Sequence, residues 1–195
     1  AEVARRGADQ AGHGVLLHVF AHVDAHHGLL VIEQEVGERP EARQPAEHLA
    51  LHKKVTYAYP YAPQYPSTGE TALTDGIRGG WTYGDKRWQG FLCKDADVTI
   101  DLEKVTDIKL VEADFMQLRG PEIWLPKEVV ISVSEDGKQY QELKRIATEV
   151  PVTEEKLVIQ KYRWEGTAKA RYVHFQGLLN REVMGWMFVD EIVVK

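Results

Sequence analysis

Thr71-Ala72-Leu73-Thr74-Asp75-Gly76-Ile77-Arg78-Gly79-Gly80-Trp81-Thr82-Tyr83-Gly84-Asp85-Lys86-Arg87-Trp88-Gln89-Gly90-Phe91 is a poor helix. Its five glycines would each cost about 1 kcal/mol in a helix interior. The stretch reads instead as a folded loop that presents carbonyls and aromatic rings. Asp75-Gly76 is a turn signal. Asp75 also offers a carboxylate beside free carbonyls, the kind of oxygen set that suits a hard cation such as calcium.

Strand patterns surround this loop. Val55, Tyr57 and Tyr59 alternate with smaller residues until Pro60, Pro63 and Pro66 end the run. Tyr57 and Tyr59 are expected to plug the end of a sandwich, with Tyr61 and Tyr65 at the surface. Asp97–Leu102, Lys104–Phe115, Glu128–Ser134, Tyr140–Ile146, Lys156–Trp164, Ala170–Gln176 and Met187–Val194 follow as strands. Glu135-Asp136-Gly137-Lys138 is a hairpin turn. With Val55–Tyr59 that makes eight strands and no competing helical period. The pattern predicts an all-β, antiparallel, eight-stranded jelly-roll sandwich over residues 54–195.

Residues 1–53 differ in composition. They hold seven of the eight histidines, no tyrosine or tryptophan, and no lysine before Lys53. Such a shift marks a boundary. The segment reads as a histidine-rich extension, either poorly ordered or foreign to the following domain. A second reading is a packed helical or strand extension, with Val15–Ile32 as the apolar element. A third is a metal tract, because His18, His22 and His26 would share one face of a helix. No carboxylate or cysteine completes that set.

The totals exclude several classes. Net charge −6 argues against a binder of phosphate backbones. The single cysteine, Cys93, excludes an internal disulfide. No run of about 20 apolar residues exists to span a membrane.

Five short words carry a resemblance: Ala72-Leu73-Thr74-Asp75-Gly76-Ile77-Arg78-Gly79, Trp88-Gln89-Gly90-Phe91, Ile100-Asp101-Leu102, Ser134-Glu135-Asp136-Gly137 and Trp186-Met187-Phe188-Val189-Asp190-Glu191-Ile192. In order and spacing, over roughly three quarters of the chain, they resemble the coagulation factor V/VIII type C, or discoidin-like, domain. The version most similar is the one at the C-terminus of bacterial glycoside hydrolase family 20 β-N-acetylhexosaminidases, or chitobiases. The resemblance implies a galactose-binding-domain-like jelly roll. It also implies a non-catalytic accessory domain that binds glycans, with a location in the periplasm or at the cell surface. The alternative is a structural domain packed on the catalytic barrel without binding sugar. A protein- or lipid-binding module is a third reading.

For glycan binding the candidates are Trp81, Tyr83, Arg119, Trp124 and Asn180, all in expected loops at one end of the sandwich. Aromatic faces stack on the C–H faces of sugar rings, and polar groups fix the hydroxyls. Trp88 and Trp186 are expected in the core. For calcium, the resemblance implies the Ala72 carbonyl, Asp75 and Glu191. Catalysis finds little support. Asp190-Glu191 is an adjacent acidic pair, but in a strand its two side chains point to opposite faces. His174, the only histidine after residue 53, sits in a strand pattern where a structural role is expected.

Overall fold

The computed structural model describes residues 16–23, 30–37 and 47–195. The chain forms two units, residues 1–43 and 44–195. In the first unit, β1 (Leu16–Val23) and β2 (Leu30–Gly37) pair antiparallel. His18 and His22 therefore lie on a strand, and the helical face expected for the histidine tract is not formed there. His26, its third member, lies outside the described residues.

The second unit contains eight strands. They are β3 (Lys54–Tyr57), β4 (Gln89–Leu92), β5 (Ala96–Gln117), β6 (Glu128–Ser134), β7 (Gln141–Ala147), β8 (Val158–Leu178), β9 (Trp186–Val189) and β10 (Val193–Val194). All pairs among them are antiparallel, in the order β4-β9-β5-β8-β6-β7, with β3 and β10 on β5. The fold is a jelly-roll β-sandwich. Residues 48–53, read above with the extension, are bonded into it. Leu49 N–H donates to Val194 and His52 N–H to Thr74.

The number of strands agrees with the expectation, but their partition differs. Asp97–Leu102 and Lys104–Phe115 are one strand, β5, and Lys156–Trp164 and Ala170–Gln176 merge into β8. Glu103 takes a φ of 71° and donates its N–H to Asp101 Oδ1 at 2.7 Å. The register shifts there, between Asp101 and Thr106. Such an irregularity bends a strand without ending it. One bent ribbon thus serves both layers. The first half of β5 pairs with β3 and the second half with β9 and β10.

Side chains of the two layers meet in one core. Phe115 from the far half of β5 stacks on Phe175 of β8 at 6.2 Å and meets Tyr162 edge-on at 5.4 Å. Val111, Ala113 and Phe115 point into this core. Glu112, Asp114 and Met116 point the other way and are still buried. The reason is the glycine-rich stretch, which lies over that outer face. Its Arg78 reaches Glu112, and its Trp88 packs with Met116 and Phe188 in a second apolar cluster. Glycine is required at 79, because a Cβ there would stand 2.2 Å from the Trp88 ring.

The tyrosines near β3 depart from expectation. Tyr59 is exposed, whereas Tyr61 packs on Tyr57 at 5.3 Å and Tyr65 meets Trp186 at 4.9 Å. Pro60 breaks the alternation, so the faces of the following residues are set by the loop. The hairpin turn at Asp136-Gly137 joins β6 to β7 as read, with Gly137 at φ 71°.

Candidate functional site

The loop of residues 78–88 is built by its own short bonds. Gly80 N–H donates to Asp85 Oδ2 at 2.8 Å and Arg87 N–H to Asp85 Oδ1 at 2.9 Å. Gly84 N–H donates to Thr82 Oγ1, which caps a 3-10 turn, Tyr83–Asp85. Trp88 Nε1–H closes the loop on the Gly80 carbonyl at 3.1 Å. Inside this frame Trp81 is 51 % exposed. Tyr83 is half-buried, 6.0 Å from both Tyr65 and Phe188.

The other candidates lie in two adjacent loops. Trp124 N–H donates to the Trp186 carbonyl, and Lys127 N–H to that of Leu178. Residues 118–127 and 178–186 therefore run side by side. Arg119 is exposed and pairs with Glu155 at 3.0 Å. Trp124 is only 9 % exposed, so it offers no open stacking face. Its ring fills the space that a side chain at Gly185 would need, with Nε1 2.8 Å from a Cβ built there. Trp186 is half-buried rather than fully in the core, stacked on Phe188 at 5.8 Å.

Asn180 lines a recess of about 420 Å³ with Asp95, Lys127, Arg181 and Glu182. Asp95 shapes it by accepting the Leu179 N–H at 2.7 Å. Sequence reasoning missed Asp95, Lys127 and Arg181. The polar run Asn180-Arg181-Glu182 between two strands was the available signal. Arg119, Trp124 and Asn180 thus share one end of the sandwich, while Trp81 sits on the loop that crosses the outer face.

Beneath that loop is a buried ionic cluster. Arg78 lies 2.7 Å from Glu112, 3.5 Å from Asp190 and 3.7 Å from Asp114. Lys161 and Arg163 approach Glu112 from β8 at 3.1 and 3.4 Å. Burial opposes the charge on Glu112, but Lys161, Arg78 and Arg163 hold its carboxyl below the usual range. Asp190 behaves in the opposite sense. Burial and the facing Asp114 push it up to about 7, against the pull of Arg78 and two backbone amides.

The sign of the pH effect follows. A carboxyl whose folded pKa is raised contributes stability that is complete below its unfolded value, 3.8, and lost as pH rises through about 7. Unfolding in urea is expected to become easier from about pH 4 to pH 7, and Asp190→Asn to flatten that slope. Asp97, Asp101 and Glu112 have lowered values, so their contributions are lost only as pH falls further. An equal slope in the variant would refute the assignment.

The acidic pair, expected inside one strand over Met187–Val194, lies in the link between β9 and β10, and its two side chains still go to different partners. Asp190 accepts from Gly79 N–H and Asp114 N–H, whereas Glu191 accepts from His48 Nε2. His174 bonds Asp97 at 2.7 Å, and Gln176 holds the other Asp97 oxygen. Among the described residues no helix is long and apolar enough to cross a membrane.

A model of the F5/8 type C domain matches residues 54–192. The chain belongs to the F5/8 type C domain family. Among solved structures, chitosan-binding module 1 of a chitosanase/glucanase from Paenibacillus sp. IK-5 is similar at 14 % identity and a TM-score of 0.52, covering 77 % of this chain and 99 % of that one. A fucose binding module of Streptococcus pneumoniae gives 14 % and 0.53, over 76 % and 94 %. The lectin domain of lectinolysin, complexed with Lewis B antigen, gives 19 % and 0.51, over 76 % and 96 %. No curated protein matches.

The calcium ligands expected of this F5/8 type C domain are close together but differently engaged. Ala72 is buried just after the 3-10 turn Gly69–Thr71. Asp75 Oδ1 accepts from Ile77 N–H at 2.8 Å and Oδ2 from the Thr68 hydroxyl. Glu191 Oε1 accepts from His48 Nε2 at 2.7 Å. Calcium takes six to eight oxygen ligands. Here three of the four carboxylate oxygens already accept hydrogen bonds, from Ile77 N–H, the Thr68 hydroxyl and His48 Nε2, and no group of three acidic, histidine or cysteine side chains fit to hold a metal occurs among the described residues. This donor set does not fit calcium.

Proposed function

We propose that this F5/8 type C domain is a non-catalytic carbohydrate-binding module that serves a glycoside hydrolase of the family 20 β-N-acetylhexosaminidase kind. The observation that carries the reading is Trp81, a half-exposed indole on a loop whose backbone is locked on both sides. A large ring held out to solvent without freedom to collapse is what sugar stacking needs. The recess at Asn180 supplies amide, carboxylate and cationic groups suited to hydroxyls. Support also comes from the solved structures of similar fold, which are a chitosan-binding module, a fucose binding module and a lectin domain complexed with Lewis B antigen. On this reading the partners are an N-acetylhexosamine- or galactose-containing glycan and a catalytic domain, and the setting is periplasmic or at the cell surface.

One observation favours a second reading, a domain that packs on its catalytic partner. Leu92 and Met184, 43 % and 55 % exposed, lie at the β4–β9 rim beside Trp186. Titration calorimetry of the chain with N-acetylglucosamine, chitobiose and galactosides separates the two. Saturable heat supports the module. A folded sample that gives none with any of these sugars turns the case to the packing domain.

A further inference from the structure

Three segments far apart in sequence meet at one seam. Residues 48–53 bond to the last strand through Leu49 N–H and the Val194 carbonyl at 2.7 Å, and to the Asp75 turn through His52 N–H and the Thr74 carbonyl at 2.6 Å. Thr74 Oγ1 returns a bond to the Lys53 carbonyl at 2.9 Å. Ile192 N–H donates to the Leu73 carbonyl at 2.9 Å, which completes the triangle. At its centre stand His48 and Glu191, whose side chains are both fully buried.

The Glu191 carboxylate is costly where it lies. It is buried whole, beside the like charge of Asp75. Its second oxygen, Oε2, is buried and has no hydrogen-bond partner among the described residues. A buried carboxylate of this kind needs a cation or a strong directional donor. The ring of His48 is placed to be that donor. Nε2 points at Oε1, and the Val194 N–H faces Nδ1 at 3.5 Å, which assigns the proton to Nε2.

We infer that His48 replaces a divalent ion as the partner of Glu191, so that this seam closes without metal. The role expected of a calcium, joining the Asp75 turn to Glu191, is taken here by a side chain of the protein itself. The inference is independent of whether the domain binds sugar. It deals with the stitching of the chain ends and not with the Trp81 loop.

Thermal unfolding of the full chain tests it. The wild-type Tm should be the same in excess chelator and in excess calcium. His48→Ala should lower Tm by about 5–10 °C by leaving a buried carboxylate unpartnered. Adding Glu191→Gln to His48→Ala removes that charge and should recover part of the loss, which a mere packing defect would not allow. A chelator-induced fall in wild-type Tm, or a calcium-induced rise, would overturn the inference even if both variants failed to fold. So would a double variant no more stable than His48→Ala alone.

Discussion

Arg78→Ala is expected to destabilise the sandwich by about 3–5 kcal/mol, the usual cost of removing one partner from a buried ionic group. Arg78 is 8 % exposed and stands between Glu112, Asp114 and Asp190. Without it, Lys161 and Arg163 still reach Glu112 from β8, but Asp114 and Asp190 lose the guanidinium they share. For a domain of this size the loss corresponds to a fall in Tm of roughly 10 °C or more. Arg78→Lys should recover little, since a point charge cannot span three carboxylates as a planar fork does. Raising pH should deepen the defect, because Asp190 is then more fully ionised. A variant within about 1 kcal/mol of wild type in urea unfolding would show that the cluster is solvated and worth no more than surface pairs.

Trp81→Ala is expected to weaken glycan binding about tenfold or more while leaving Tm within about 1 °C of wild type. Among the described residues the ring makes no hydrogen bond, and it is half open to solvent. Its truncation removes stacking area worth about 2 kcal/mol in a complex and very little from the core. Trp124→Ala should behave in reverse. That ring is buried against Gly185 and bonded through its backbone to Trp186, so its loss should lower Tm first. Calorimetric titration paired with thermal unfolding reads both quantities. Equal binding by wild type and Trp81→Ala would remove the platform from the proposal, and a parallel fall in Tm would make the residue structural.

The sequence by itself determined the local pieces. Alternation of β-branched residues set β6, and Asp136-Gly137 set its turn, because pleat and positive φ are properties of a few adjacent residues. The glycine-rich stretch was legible as a loop for the same reason. Merging of two expected strands into β5 was not, since Glu103 in a positive-φ bend looks like any polar residue until its N–H finds Asp101. Tertiary structure alone decided which tryptophan is open and which is closed. Trp81 and Trp124 both follow small or apolar residues in loops, and only packing against Gly185 separates them. It also decided the charges. Nothing beside Arg78 in the sequence marks its partners, which arrive from 34 and 112 residues away, and His48 meets Glu191 across 143. Ion pairs of that separation depend on two strands being folded into one seam, and no pattern along the chain records which face of the sheet each will meet.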